Sequence, residues 1–201
     1  MKVIGSFVSP YVRKVLACME LKGLAYAVDP ITPFYGNDEF ERLSPLRRIP
    51  VMIDGDLALS DSSVICAYLE ETYSGHALLP ADPRDRARAR WFEEYADTRM
   101  GDVFIWGLFY PKVVYPRVWG EEGDLERVEK CLAVDGARWP RVARFVEDTL
   151  AHPVFEKLLA FEKVQLGASV AGRRQALIDA GARLTKETWA TKEPRRGIMR
   201  L

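Results

Sequence analysis

Residues 44–71 read SPLRRIPVMIDGDLALSDSSVICAYLEE. Two short apolar runs, 51–53 and 57–59, flank the sequence Asp54-Gly55-Asp56, and Asp-Gly between such runs is a strong signal for a β-hairpin. Behind the hairpin, residues 61–73 carry apolar side chains at helical spacing, which predicts a helix there. This stretch therefore predicts a ββα unit.

The chain before this stretch predicts a βαβ unit. Residues 2–7 and 25–30 are rich in β-forming residues, and the apolar residues between them recur at helical spacing. The helix is predicted to begin after Ser9, because serine is a favourable N-cap and Pro10 suits the first helical position. With a further short helix over 38–43, the order βαβ, short helix, ββα is that of a thioredoxin-like half.

The remainder of the chain shows helical patterns and no convincing strand. Residues 77–83 contain two prolines and no periodicity, so they are interpreted as a linker. The predicted domains are residues 1–76 and an all-helical domain, 84–201. Within the second domain we expect helices over 84–99, 102–119, 139–150, 153–162 and 173–180.

Two details of the helical domain are also predicted. The aromatic residues Trp91, Phe92 and Tyr95 are expected on the inner face of the helix over 84–99. Pro111 and Pro116 are expected to end or kink a helix over 102–119, because proline lacks the backbone N–H and its ring clashes with the preceding turn.

Composition and charge exclude several classes of protein. The formal net charge is +0 over 201 residues, so nothing draws the chain generally to nucleic acid or to anionic lipid. No apolar run approaches the ~20 residues of a membrane span, and residues 1–5 lack the apolar part of a secretion signal. The basic residues Arg195, Arg196 and Arg200 are expected to form a solvated tail.

Cysteine and histidine usage points to a reducing compartment. Cys18, Cys66 and Cys131 are odd in number and widely spaced, which argues against a disulfide framework, so they are interpreted as core or surface thiols. With only two histidines, a zinc site is not expected. We therefore expect a cytoplasmic protein without a metal.

Four segments together resemble the bacterial, serine-type cytosolic glutathione transferases. They are residues 6–23, 44–71, 78–97 and 137–162. The resemblance implies an α/β thioredoxin-like N-terminal domain followed by an all-α C-terminal domain, and a homodimer. The chain departs from the family at residues 131–138. The family has further helical sequence at this point, and this chain does not, so the helical domain is interpreted as internally shortened.

The resemblance implies that Ser9 occupies the position of the catalytic hydroxyl. Glutathione reacts as its thiolate, and a thiol with a pKa of ~8.5 is mostly protonated at neutral pH. A hydroxyl donor beside a helix N-terminus stabilises the thiolate. Two alternatives remain open: Ser9 only caps the helix, a role that would compete for its Oγ, or another hydroxyl, such as that of Ser6, acts instead.

Glutathione binding is assigned by the same resemblance to three further places. The peptide bond Ile49-Pro50 is expected to be cis, with the backbone of Ile49 pairing with the cysteinyl unit. Asp61 and Ser62 begin a helix and are expected to hold the γ-glutamyl ammonium and carboxylate groups. Arg48 is a candidate for the glycyl carboxylate, and the alternative for Asp61-Ser62 is that they only cap the helix.

The acceptor pocket is expected to be apolar and to lie between the two domains. Its candidate side chains are aromatic, and they are Tyr11, Phe34, Tyr35, Trp106, Phe109, Tyr110 and Tyr115. The predicted reaction is addition of the glutathione thiolate to a small hydrophobic electrophile, with isomerisation or peroxide reduction as variants. The alternatives are an interaction protein on the same scaffold, similar to stringent-starvation proteins, and an inactive paralogue.

Overall fold

The computed structural model of the chain describes residues 1–132, 144 and 148–196. Contacts divide the chain into two compact units: Met1–Leu78 together with Leu150–Leu201, and Leu79–Thr149. The predicted linker at 77–83 coincides with the first boundary, whereas residues 150–201, assigned by sequence to the helical domain, are grouped with the first unit. The domain limits stay a prediction, because compact units and domains are different divisions.

A four-stranded mixed sheet forms the centre of the first unit. Its strands are β1 (Lys2–Ile4), β2 (Ala27–Asp29), β3 (Val51–Asp54) and β4 (Leu57–Ser60), in the spatial order β2-β1-β3-β4. β1 and β2 are parallel, while β3 is antiparallel to both β1 and β4. The predicted hairpin and the thioredoxin-like sheet are confirmed.

Seven α-helices have both of their ends within the described residues. They are α1 (Pro10–Leu21), α2 (Asp38–Leu43), α3 (Ser62–Thr72), α4 (Pro83–Tyr95), α5 (Leu125–Leu132), α6 (Pro153–Gly167) and α7 (Arg173–Asp179). The first, second and third begin within one residue of the predicted positions. The sixth continues five residues beyond its predicted end at residue 162.

The first strand ends earlier than predicted, at Ile4 instead of residue 7. Gly5 has φ +155°, and a Cβ there would lie 2.5 Å from Cγ2 of Val12. The chain can turn here only because glycine has no side chain, so the segment after Ile4 leaves the sheet and leads into α1. This turn places Ser9 at the start of the helix.

The first unit has two apolar clusters, formed by side chains that alternate between the faces of the sheet. Val3 and Met52 pack with buried residues of α1, α3 and α6, and Ile4 and Val51 pack with Phe40 of α2. Alternate residues of a strand point to opposite faces, which explains the division. Each fully buried large side chain contributes about 1.5–3 kcal/mol to folding, so these clusters fix the positions of the helices against the sheet.

In the second unit, neither of the two prolines ends the helix that contains it. The helix over Asp102–Trp119 contains both Pro111 and Pro116, and it ends at Gly120, whose φ is 67°. Its hydrogen bonds follow the wider π pattern, from residue i to i+5. The alternative expectation, a kink at these prolines, stays a prediction.

The aromatic residues predicted on the inner face of α4 are exposed. The exposed fractions are 61% for Trp91, 64% for Phe92 and 47% for Tyr95. The rings of Trp91 and Tyr95 stack with centroids 5.7 Å apart, so these side chains cover one another instead of a core. The predicted helix over 139–150 and the junction at 131–138 lie largely outside the described residues.

Of the basic residues expected to form a solvated tail, Arg195 and Arg196 are exposed, and Arg200 lies outside the described residues. The backbone of the tail forms hydrogen bonds with the segment that follows β2. Arg195 donates its backbone N–H to the carbonyl of Phe34 at 2.6 Å, and its guanidinium forms an ion pair with Asp38. Thr191 donates to the carbonyl of Tyr35 through both its N–H and its hydroxyl. Residues 34 and 35 accept these bonds through their carbonyl oxygens, at the end of the short 3₁₀ turn Pro33–Tyr35.

Candidate functional site

Four chain segments that hold candidate residues meet at one edge of the sheet. The strand register pairs Ile4 with Asp29 and with Val51, and it pairs Val51 with Ser60. The segments that adjoin these positions therefore lie at the same end of the sheet. They are the segment leading to Ser9, the turn with Phe34 and Tyr35, Arg48 to Pro50, and Asp61 with Ser62.

Ser9 caps α1 and keeps its hydroxyl hydrogen available. Its Oγ accepts a hydrogen bond from the N–H of Val12 at 3.4 Å, which is a long bond. A serine hydroxyl has two acceptor lone pairs and one donor hydrogen, so capping consumes a lone pair only. The conflict expected between capping and donation to a sulfur anion therefore does not arise.

Helix α6 holds the turn that carries Ser9. The side chain of Gln165, which is buried, accepts from the N–H of Phe7 at 2.8 Å and donates to the carbonyl of Pro30 at 3.3 Å. The Arg13 guanidinium donates to the carbonyl of Phe7 at 3.1 Å and forms an ion pair with Glu162 at 2.6 Å. The sequence signal for this contact is that Gln165, a polar residue, shares the buried face of α6 with Leu158 and Phe161.

At the start of α3, one residue caps the helix and the next residue has donor groups that the cap does not use. Asp61 is the N-cap: its Oδ1 accepts from the N–H groups of Ser63 at 2.9 Å and Val64 at 3.3 Å. Ser62 is only 5% exposed, and neither its hydroxyl nor its N–H forms a hydrogen bond with any described residue. Because Asp61 provides the cap, the two donor groups of Ser62 are left for a ligand.

The peptide bond between Ile49 and Pro50 is cis, as predicted. Among the described residues, neither the N–H nor the C=O of Ile49 takes part in a hydrogen bond. A Cβ on Gly5 would lie 3.3 Å from Cβ of Ile49, which places Ile49 directly beside the turn into α1. Ile49 thus offers one donor and one acceptor at this edge.

The two arginines before Ile49 differ in environment. Arg47 is buried, has φ 52°, and donates to a carboxylate oxygen of Glu41 and to the carbonyl of Gly36, both at 2.9 Å. Arg48 is exposed, and its backbone N–H and C=O bond with Ser44 Oγ. The structure therefore uses Arg47 to hold the loop and leaves Arg48 at the surface.

The aromatic candidates lie in both units. Tyr11, in the first turn of α1, is half-buried, as are Phe34 and Tyr35. Within the second unit, Tyr110 lies between Trp106 and Tyr115, with ring centroids 5.3 Å and 5.5 Å away. Phe109 is half-buried in the same helix. Their role in acceptor binding stays a prediction.

Asp29, at the end of β2, fixes the C-terminal tail at this edge. Its carboxylate, which is fully buried, accepts from the Thr188 hydroxyl at 2.6 Å and from the Trp189 N–H at 2.7 Å. Burial raises the pKa of Asp29, and these two donors together with Arg174 oppose the rise. The geometry assigns this residue to tail anchoring.

A cavity of about 250 Å³ occurs elsewhere in the first unit. It lies beside the start of β2, and its lining includes Glu20, Tyr26, Lys157 and Arg183. Burial acts to raise the pKa of Glu20, but hydrogen bonds from Lys157 and Tyr26 hold it below its usual value. These groups satisfy one another, and the cavity is separate from the edge that carries Ser9 and Ser62.

Two absences concern the described residues only. No group of three or more His, Cys, Asp or Glu side chains within them is placed to hold a metal ion. None of the helices in the described ranges is both long and apolar enough to cross a membrane.

Comparison with known proteins agrees with this architecture. The family described as glutathione S-transferase, N-terminal domain, matches residues 3–77. A wheat glutathione S-transferase is 37% identical over 39% of this chain and 36% of its own length. Glutathione S-transferase U8 of Arabidopsis thaliana is 30% identical over 64% of this chain and 54% of its own length. The chain therefore spans about half the length, or less, of these curated relatives.

A solved structure extends the likeness beyond the first domain. The maleylacetoacetate isomerase of Methylobacterium extorquens AM1, solved with bound malonate and glutathione, is 26% identical. It aligns with a TM-score of 0.58 over 79% of this chain and 95% of its own. None of these relatives favours the alternative of a stringent-starvation-like interaction protein. Residues 3–77 thus match the N-terminal domain of the glutathione S-transferases, and the chain is similar in fold to a solved protein that binds glutathione.

Proposed function

We propose that the chain is a glutathione transferase, which binds glutathione at the edge of the sheet and presents its thiolate to a small hydrophobic electrophile. One observation carries this proposal. Ser9, Ile49 and Ser62 all lie at that edge, and each has a hydrogen-bonding group that no described residue uses. Buried polar groups are normally paired, so a cluster of unspent ones suits a polar ligand.

The chemical groups of glutathione match these residues one by one. The N–H and hydroxyl of Ser62 would donate to the γ-glutamyl carboxylate at a helix N-terminus, where anions are favoured. Oδ2 of Asp61, which the cap does not use, would accept from the ammonium group. The donor and acceptor of Ile49 would pair with the cysteinyl backbone in the manner of an added strand, and Arg48 would approach the glycyl carboxylate.

Ser9 would stabilise the sulfur anion. Lowering a thiol pKa by one to two units requires about 1.4–2.7 kcal/mol of preferential stabilisation of the thiolate. One hydroxyl donor to an anion supplies about 1.5–3 kcal/mol, and the N-terminus of α1 adds to it. Because the Oγ accepts from Val12 through a lone pair, its hydrogen would remain for donation to the sulfur anion.

The test is binding followed by turnover. Glutathione should bind with a measurable heat by isothermal titration calorimetry and should raise the melting temperature with concentration, since a ligand that binds only the folded state stabilises it. The protein should then accelerate conjugation of an activated aryl halide. A chain that neither binds glutathione nor changes its melting temperature would refute the proposal.

We also propose a cytoplasmic homodimer, as is usual in this family. Size-exclusion chromatography with light scattering would give twice the mass of the chain, which is 22.8 kDa. A single-chain mass at micromolar concentration would contradict the dimer without bearing on glutathione binding.

A further inference from the structure

Cys18 and Cys66, 48 residues apart in sequence, meet between two parallel helices. Their sulfur atoms are 3.2 Å apart, close enough for one thiol to donate to the other. Cys18 is on α1 and Cys66 is on α3, and both side chains are half-buried. Neither residue has a place in the glutathione site described above.

The two sulfurs form the middle contact of three between the same helix faces. One turn before them, Lys14 Nζ donates to Ser63 Oγ at 2.9 Å. One turn after them, Lys22 Nζ forms an ion pair with Glu70 at 2.7 Å. The residues lie at i, i+4 and i+8 along α1 and its C-cap, Lys22, and at i, i+3 and i+7 on α3, so each set shares a helix face. Polar contacts on both sides therefore keep the sulfurs opposed.

The distance is compatible with a covalent bond after a small movement. A disulfide has sulfurs about 2.05 Å apart, so the two atoms need to approach by roughly 1.2 Å. Both helices pack through side chains on a common core, and rotamer adjustment of two cysteines supplies a movement of this size. Because both thiols are half-buried and not enclosed, a small oxidant can reach them.

We propose that Cys18 and Cys66 form a redox-active dithiol site that hydroperoxides oxidise to a disulfide between α1 and α3. The thiolate of one cysteine attacks a peroxide oxygen; the O–O bond breaks, a sulfenic acid forms, and hydroxide leaves and takes up a proton as water. The second thiol then attacks the sulfenic sulfur, the S–S bond forms, and the S–O bond breaks with loss of a second water. Two thiols and one hydrogen peroxide thus give one disulfide and two waters.

The site is independent of the proposed transferase activity, and its test needs no glutathione. The reduced full-length protein is treated with hydrogen peroxide, then denatured and alkylated. Of the three cysteines in the sequence, a disulfide consumes two and leaves one to be alkylated. The intact mass should fall by about 2 Da before alkylation, peptide mapping should recover a Cys18–Cys66 cross-link, and dithiothreitol should restore three reactive thiols.

Variants provide the matched controls. Cys131→Ala should leave no alkylatable thiol after oxidation, whereas Cys18→Ala and Cys66→Ala should form no internal disulfide. The oxidised wild type should melt at a higher temperature than the reduced form, because the cross-link closes a long loop, and Cys66→Ala should show no such rise. Three thiols surviving peroxide, a cross-link through Cys131, or conversion of Cys18 or Cys66 to sulfinic acid would each overturn the proposal. Mapping on the wild-type chain decides the matter even if a variant fails to fold.

Discussion

Helices α1 and α3 begin at the same edge of the sheet, but their first turns are satisfied in different ways. At α1 the capping residue, Ser9, is itself the candidate for chemistry, and its Oγ accepts from Val12 at 3.4 Å. At α3 the cap is Asp61, which accepts two N–H groups and has φ 83°, while the next residue, Ser62, is buried and unspent. Asp61 thus carries backbone strain that Ser9, with φ −71°, does not.

The difference teaches how a helix start can serve both folding and binding. A hydroxyl can cap with a lone pair and still donate its hydrogen, so one residue suffices at α1. A carboxylate carries no hydrogen to donate, so the donors at α3 have to come from a second residue. We therefore expect Ser9 variants to change reaction rate, Ser62 variants to change affinity, and Asp61 variants to change stability.

The largest effect should come from the turn that brings α1 to the edge. Gly5→Ala should lower the free energy of unfolding by about 2–5 kcal/mol, because φ +155° strains alanine and its Cβ meets Val12. Gly55→Ala is the control: φ there is +61° but nothing lies within 4 Å, so strain alone applies. Equal losses in chemical denaturation of the two variants would show that the contact with Val12 is unimportant.

The next effect concerns affinity at α3. Ser62→Ala removes a hydroxyl donor to a carboxylate, so the Kd for glutathione should rise about 10- to 100-fold by calorimetry. Ser63→Ala, one residue further along, changes a hydroxyl that bonds to Lys14 and should alter Kd far less. If the two substitutions weaken binding equally, Ser62 does not have the assigned role.

At α1 the expected effect is on rate. Ser9→Ala should slow conjugation near pH 7 by about tenfold, which corresponds to ~1.4 kcal/mol of lost thiolate stabilisation, with little change in Kd. The slowing should shrink at higher pH, where the thiol ionises without help. Ser9→Thr keeps the hydroxyl and should retain most of the rate, whereas an undiminished rate for alanine would remove Ser9 from the chemistry.

The smallest expected effect distinguishes the capping role of the Asp61 side chain from the role of its negative charge. Asp61→Ala should lower the free energy of unfolding by about 0.5–2 kcal/mol, since it removes the acceptor for Ser63 and Val64. Asp61→Asn keeps an acceptor oxygen and should retain most of that stability while it weakens glutathione binding. Thermal or chemical denaturation of both variants makes the comparison, and equal stability of alanine and asparagine would mean that the cap contributes nothing.

Local signals in the sequence predict the first unit well. Ser9-Pro10, Asp54-Gly55 and the helical spacing after Asp61 each act over a few residues, and the structure has the helix starts and the hairpin there. The sequence predicts β1 three residues too long, because the close approach of Gly5 to Val12 depends on how α1 packs. In the second unit, the helix continues through Pro111 and Pro116, so neither proline ends it, and a kink there stays a prediction.

The site itself was only partly visible in the sequence. The resemblance indicates Ile49, Asp61 and Ser62. It does not indicate that Asp61 alone provides the cap, or that the N–H and hydroxyl of Ser62 form no hydrogen bond with a described residue. Gln165 reaches Phe7 across 158 residues, and no local pattern reports such a contact. The approach of Cys18 to Cys66 is of the same kind: their wide spacing in sequence argues against pairing, whereas packing of α1 on α3 brings the two sulfur atoms together.

A crystal structure of the chain with glutathione tests the central claim most directly. The account predicts the glutathione sulfur within hydrogen-bonding distance of Ser9 Oγ, and the γ-glutamyl carboxylate on the hydroxyl and N–H of Ser62. Glutathione bound away from this edge, or a Ser9 hydroxyl directed away from the sulfur, would contradict it.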